Sequence, residues 1–301
     1  MQNLPFDKPG RFWRGNLHCH STESDGKLTP QEVCAFYQRN GYDFISLTDH
    51  FLENYGYPMT NTQPYRDDAF TTLIGAELHA GQTELGQLWH ILAVGLPLDF
   101  AAPTADETGP QITARALASG AYVAAAHPAW YSLTENDVRS LGDIHAIEVY
   151  NGTSHDHNDR ADSWYMLDLM LMRGQHYTAC ATDDAHFRDE RADALLGWVH
   201  VKAEQLTPDA ILAALKAGWY YSSTGPQIHD IRITNDELIV DCSPVERIFV
   251  TGTGFNAVVA QGRGLRTASF PLSRIKGPYA RVTVRDVGGG RAWSNPFWLR
   301  G

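Results

Sequence analysis

Apolar residues in the first three-quarters of the chain gather into short runs, separated by stretches in which they recur at helical spacing. The runs predict strands at Arg14–His20, Phe44–His50, Thr72–His79, His90–Leu96, Tyr122–His127, Ile144–Tyr150, Tyr177–Thr182 and Leu196–Val201. Several are almost continuously apolar, as strands of a parallel sheet buried on both faces are. Between them, Thr29-Pro30 caps and opens a helix that Gly41 stops, and Thr207-Pro208 with Gly218 repeats the signal. Asn158 to Arg173 places Trp164, Leu167 and Leu171 on one helical face ahead of Gly174. Repeated β–α units predict an α/β barrel or wound sheet over residues 1–225. Beyond Pro226 the texture changes. Ile228–Asn235, Glu237–Cys242, Arg247–Thr251 and Ala280–Asp286 read as short alternating strands broken by Asn-Asp, Gly-Thr-Gly and Gly-Gly-Gly turns. Residues 226–301 are therefore expected to form a small, sandwich-like all-β domain.

Polar residues able to bind metal recur at the ends of the predicted strands. His20, His50, Glu77, His127 and Thr182-Asp183-Asp184 all lie at or just past C-terminal ends, the face that carries the active site in parallel α/β barrels. His90 is the exception and begins its strand. The segment Gly15 to Gly26 is the densest, with His18, His20 and Asp25 within eight residues. In an extended strand, residues two apart share a face, so His18 and His20 aim at one point while Cys19 faces away. Two imidazoles with a nearby carboxylate suit a divalent transition metal.

The rest of the composition narrows the choice. Over 301 residues, 43% are hydrophobic, enough for a substantial core. The formal net charge of −11 argues against a nucleic-acid groove but not against a small anionic substrate, since bound metals supply local positive charge. Cys19, Cys34, Cys180 and Cys242 form no CxxC and suggest reduced core thiols. Met1 to Gly15 has no apolar core of the signal-peptide kind, and no apolar run is long enough for a membrane helix. The expectation is a cytoplasmic protein with a small-molecule substrate and no nucleic-acid or membrane partner.

Taken together, His18/His20, Thr48-Asp49-His50, His127-Pro128 and Asp184-Ala185-His186 resemble the four motifs of the PHP (polymerase and histidinol phosphatase) superfamily of metal-dependent hydrolases. The opening Trp13 to His20 and the ending Ala292-Trp293-Ser294-Asn295-Pro296 resemble its CehA/McbA-type branch. The resemblance implies a distorted seven-stranded β/α barrel with two or three divalent metals, zinc, manganese or iron. It assigns one metal to His18, His20, Glu77 and Asp184. Glu77 would bridge to a second held by His90 and His127, and Asp25, His50 and His186 would hold a third. Many members have histidine where Asp25 stands. The implied activity is hydrolysis of a small phosphate ester through a metal-bridging hydroxide, with Asp184, Glu77 and Arg188 as catalytic candidates. Hydrolysis of a carboxylic or carbamate ester or amide is the alternative, and a non-catalytic ligand-binding barrel is the second.

Other residues carry two readings each. Asp49 either orients the His50 imidazole or caps a strand end. His79, two residues after Glu77, either faces the site or does not. Asn151 contacts substrate or forms a turn with Gly152. Arg160, Arg188 and Arg191 follow strand ends and are candidates to clamp an anion, with surface ion pairing as the alternative. Trp130 and Tyr131 are read as pocket lining and His155-Asp156-His157 as a solvated loop.

Overall fold

The computed structural model describes residues 4–299. In chain order these form β1 (Arg11–Asn16), α1 (Pro30–Arg39), β2 (Phe44–Leu47), β3 (His50–Phe51), β4 (Thr71–Leu78), β5 (Ile91–Val94), α2 (Gly109–Ala118), β6 (Tyr122–Ala125), α3 (Pro128–Tyr131), α4 (Glu135–Ser140), β7 (Ala146–Asn151), α5 (Gly152–Asn158), α6 (Trp164–Met172), β8 (Thr178–Thr182), β9 (Trp198–Ala203), α7 (Pro208–Lys216) and β10 (Tyr220–Ser223). They continue as β11 (Ile228–Thr234), β12 (Glu237–Thr251), β13 (Ala257–Pro271), β14 (Tyr279–Arg285), β15 (Arg291–Ser294) and β16 (Phe297–Trp298). The fold is mixed α/β, with seven α-helices and one large sheet among the described residues. None of these helices is long and apolar enough to cross a membrane.

The helix signals act as capping chemistry predicts. Thr29 Oγ1 accepts from the Glu32 amide while the Glu32 carboxylate accepts from the Thr29 amide, and Pro30 opens α1. The helix predicted from Asn158 to Arg173 is shorter, Trp164–Met172, and a separate helix, Gly152–Asn158, precedes it. Asp159 turns left-handed and ends α5 at Asn158, and α6 starts at Trp164. His155-Asp156-His157 therefore lies on a helix rather than in a loop.

The sheet runs β11-β12-β14-β15-β10-β9-β1-β2-β4-β5-β6-β7-β8. β1, β2 and β4 are mutually parallel, as are β6, β7 and β8. β5 runs antiparallel to both β4 and β6, and β9 antiparallel to β1, so these strands depart from the parallel order that repeated β–α units suggest. That reversal explains His90. Glu77 pairs with Leu92 and Leu78 with Ile91, so the start of β5 meets the end of β4 on the same rim.

β8 has no ladder partner beyond β7 among the described residues. Side chains meet its free edge instead. Ser222 Oγ on β10 accepts from the Ala181 amide at 3.0 Å and donates to the Ala179 carbonyl at 2.8 Å. Asn295 Oδ1 accepts from the Ala179 amide at 2.8 Å, and its Nδ2 donates to the Gly218 and Tyr220 carbonyls at 3.1 and 3.0 Å. These are buried backbone groups that would otherwise lack partners.

The region after Pro226 differs in detail from its prediction. Glu237–Cys242 and Arg247–Thr251 belong to one long strand, β12, whose register against β13 shifts on either side of Val245, next to Pro244. β13 was not anticipated, because most of its residues are exposed and few are large and apolar. Pairing of Tyr221 with Ser294 joins these strands to the preceding sheet without a break. Their own core includes Ile231, Leu238, Val240, Ile248, Val282 and Val284.

Asn295→Ala strips partners from one buried amide and two carbonyls at once. At about 1–3 kcal/mol for each group left unsatisfied and with partial relaxation, a loss of about 2–5 kcal/mol is expected. Urea unfolding measures it, and an unchanged midpoint would show that Asn295 does not close this edge.

Candidate metal centre

Glu77, with no exposed surface, is the penultimate residue of β4, at the centre of the rim. Six imidazole nitrogens lie within 4 Å of its carboxylate. His90 Nδ1 and His127 Nε2 approach Oε1 at 2.7 and 3.0 Å, and His50 Nδ1 approaches Oε2 at 2.7 Å. His18 Nε2, His20 Nε2 and His79 Nε2 follow at 3.5, 3.6 and 3.9 Å from Oε2. Asp184 faces the same space from beyond β8, with Oδ1 at 2.9 Å from His20 Nε2 and 3.3 Å from His18 Nε2. Towards solvent, Asp25 Oδ1 lies 3.3 Å from His186 Nε2 and 3.5 Å from His50 Nε2. All nine residues named from the sequence as candidate ligands thus meet in one cluster. Within it, donor atoms of His20, Asp25, His50 and His186 lie within 4.8 Å of one another, as do those of His18, His20 and Glu77.

Local backbone delivers these side chains. β1 stops at Asn16, so His18 and His20 lie beyond it rather than within it. The chain nevertheless stays extended, because the Thr48 amide donates to the Cys19 carbonyl and the His20 amide to the Ala185 carbonyl, both at 2.9 Å. Cys19 turns into a core with Val33, Ile45 and Leu47, while both imidazoles face the cluster. His127 and Asp184 take left-handed backbone angles, φ 27° and 55°. Such strain persists only where surrounding contacts fix it. The His127 amide donates to Glu148 Oε2 at 2.6 Å, and the Asp184 amide to the His18 carbonyl at 2.8 Å.

Glu148 was overlooked in the sequence. It is buried on β7, accepts from His18 Nδ1 at 2.9 Å, and also accepts from Asn151 Nδ2 at 2.9 Å and Thr182 Oγ1 at 2.5 Å. With Nδ1 donating there, Nε2 faces Glu77 and Asp184 and is the nitrogen left to bind a metal once its proton is displaced. The available signal was an acid inside the apolar run Ala146-Ile147-Glu148-Val149.

Other expectations resolve individually. Asp49 touches no imidazole. It accepts from the Ser21 amide and from the hydroxyls of Ser21, Ser24 and Thr60, at 2.7–2.9 Å, and so braces the turn that presents Asp25. Asn151 caps α5 through the Ser154 amide and also donates to Asp184 Oδ2 at 3.1 Å. Arg188 donates to Asp25 Oδ2 at 2.6 Å and, with Arg191, lines a cavity of about 240 Å³ above the cluster. Arg160 is exposed, donates to the Trp130 carbonyl and does not line that cavity. Trp130 and Tyr131 do line it, as does His157, which stacks on Trp130 at 5.3 Å.

The electrostatics are those of a crowded, nearly dry site. Burial favours a protonated Glu77, but His90, His50 and His18 outweigh it and hold the carboxyl well below its usual range. Burial, with His186 and His50 nearby, pushes His20 down to about 4. Burial also opposes a charged His186, yet Asp25 and Asp184 raise it to about 9. Protons on imidazoles are thus the counter-charge available to these carboxylates. Even so, His18 Nε2, Glu77 Oε2 and Asp25 Oδ1 are buried without a hydrogen-bond partner. Imidazole nitrogens and carboxylate oxygens converging in this way are the donor set of zinc, manganese or iron, with metal displacing the imidazole protons, so the residues fit divalent metals.

Glu148→Gln keeps the volume and removes the charge behind His18. Divalent-metal affinity should fall about 10- to 100-fold with the fold retained, as competition with a chelator would measure. Wild-type affinity in the variant would remove Glu148 from the site.

No family model and no curated protein matches the chain. Among solved structures, it is similar to a two-domain protein from Bacteroides vulgatus containing a predicted PHP-like metal-dependent phosphoesterase, with a TM-score of 0.54 and 16% identity over 99% of each chain. A candidate metal-dependent phosphoesterase from Bifidobacterium adolescentis gives 0.46 at 14% identity, over 67% of this chain and 96% of that one. An amidohydrolase from Chromobacterium violaceum, solved with bound sulfate and no metal, gives 0.44 at 17% identity, over 60% and 89%. The likeness to the Bacteroides vulgatus protein, over 99% of each chain, is one of fold.

Proposed function

We propose that the chain is a metal-dependent hydrolase of the PHP type acting on a small phosphate ester, with its chemistry in residues 1–225 and a β-rich extension over 226–301. The observation that carries this reading is the set of buried, unpartnered polar atoms His18 Nε2, Glu77 Oε2 and Asp25 Oδ1 in one cluster beside a cavity lined by Arg188 and Arg191. Two or three divalent metals, zinc, manganese or iron, would be held by His18, His20, Glu77 and Asp184, by Glu77, His90 and His127, and by Asp25, His50 and His186. Bound there, they supply Lewis acidity that offsets charge developing on an ester oxygen.

The chain's own residues supply position and selectivity. Glu77 and Asp184 fix the floor of the cavity. Arg188 is anchored by Asp25 with its guanidinium part-exposed, and Arg191 stands 3.8 Å from Asp156. Two arginines at the mouth favour an anionic ester over a neutral one. Trp130, Tyr131 and His157 wall off water, and about 240 Å³ limits the ester to a small one. The Trp13–His20 opening and the Ala292–Pro296 ending support the CehA/McbA-type branch.

Protein purified without chelators should carry about two or three equivalents of zinc, manganese or iron, lost on Glu77→Ala. It should hydrolyse a phosphate ester in a metal-dependent way, with the variant at least about 1000-fold slower. A panel of phosphomonoester, phosphodiester and aryl ester tests this. Equal, metal-independent rates on all three would sink the hydrolase reading, and preference for the aryl ester would favour the carboxylic or carbamate alternative.

A further inference from the structure

His79 belongs to none of the three ligand sets that the resemblance implies, although a ring nitrogen of it lies within 4.8 Å of donor atoms of His50, Glu77 and His90; it is buried at the edge of the cluster with both ring nitrogens engaged. Its Nδ1 lies 2.8 Å from the Trp89 carbonyl oxygen. A carbonyl only accepts, so Nδ1 carries the proton, and with one proton on the ring Nε2 is an acceptor. That Nε2 is 2.9 Å from His50 Nδ1. The other neighbour of His50 Nδ1 is Glu77 Oε2 at 2.7 Å, also an acceptor. Both contacts therefore place a proton on His50 Nδ1, which leaves Nε2, 3.5 Å from Asp25 Oδ1, as the nitrogen turned to the mouth of the site.

The two acceptors are not equivalent. Glu77 Oε2 has no hydrogen bond of acceptable geometry and faces several imidazoles. His79 is anchored through Trp89, whose ring packs so closely on Gly109 that a Cβ there would lie 2.4 Å from it. We infer that His79 is a positioning residue: through the relay Trp89 carbonyl–His79–His50 it holds the Nδ1–H of His50 and with it the ring orientation that presents His50 Nε2 beside Asp25 and His186. When Glu77 turns to a metal, His79 is the acceptor that remains. This rests on the proposed metal centre for its consequence, but the relay itself is a property of the metal-free protein.

Two measurements separate these. In metal-free protein with ¹⁵N-labelled histidine, the relay requires a proton on His50 Nδ1 and a scalar coupling across its hydrogen bond to His79 Nε2. A His50 Nδ1 without a proton, or no coupling, overturns the inference. In metal-loaded protein, His79→Leu should weaken the most loosely held metal about 10- to 100-fold, or lose about one equivalent, while His79→Gln, which keeps an acceptor, restores it. Wild-type occupancy and affinity in His79→Leu also overturn it. If His79→Leu fails to fold, the coupling and the His79→Gln occupancy decide. Wild-type protein that takes up no metal removes the hydrolase reading, and the coupling then decides the role of His79 alone.

Discussion

A carboxylate without solvent contact is costly to bury, and Glu77, the penultimate residue of β4, is in that condition. Its charge is tolerated because imidazoles approach it from five segments of chain. The extension of β1 brings His18 and His20, β3 brings His50, and the end of β4 brings His79. The start of β5 brings His90, and the end of β6 brings His127. Topology follows from this requirement. An all-parallel order would carry the start of β5 to the opposite rim, roughly a strand's length away. Reversal of β5 lets two sequence-adjacent strands contribute to one point.

Around that centre, a second layer decides which nitrogen each ring presents. Glu148 takes Nδ1 of His18, and the Asp184 carbonyl accepts from Nδ1 of His186 at 2.8 Å. Asp49 touches no ring, yet it fixes the turn that brings Asp25 to the mouth. The left-handed backbone at His127 and Asp184 belongs to the same design. Glu148 holds the His127 amide and Asn151 holds the Asp184 carboxylate, so the strained residues are tied to buried polar groups rather than to mobile loops.

Much of the centre was legible in the chain because its ligands obey local rules. His18 and His20 follow the two-residue period of extended backbone, and His50, Glu77, His127 and Asp184 mark where apolar runs stop. What was illegible is non-local. An apolar run does not record its direction, so the reversal of β5 left His90 as an anomaly. Glu148 is visible as an acid among apolar residues, but its partner His18 lies 130 residues away. α5 was read as a loop because Gly152–Asn158 is polar and carries no apolar helical period, and α6 starts later than its apolar spacing suggested because Asp159 turns left-handed in a stretch with no glycine or proline. β13 escaped because exposed strand residues carry no apolar alternation to detect.

The C-terminal strands bear on the site through β8. Asp184 lies five residues beyond Ala179, whose amide is held by Asn295 and whose carbonyl is held by Ser222. β8 also pairs with β7, whose Glu148 and Asn151 hold His18 and Asp184 in turn. Without Asn295 that buried edge would expose an unpaired amide to an apolar interior, a state proteins avoid by shifting the strand or admitting water. Either response would move the backbone that sets Asp184 against His18 and His20. The single sheet running from β11 to β8 is therefore more than a convenience of packing: a residue near the end of the chain helps fix the register of the strand on which one wall of the metal centre depends.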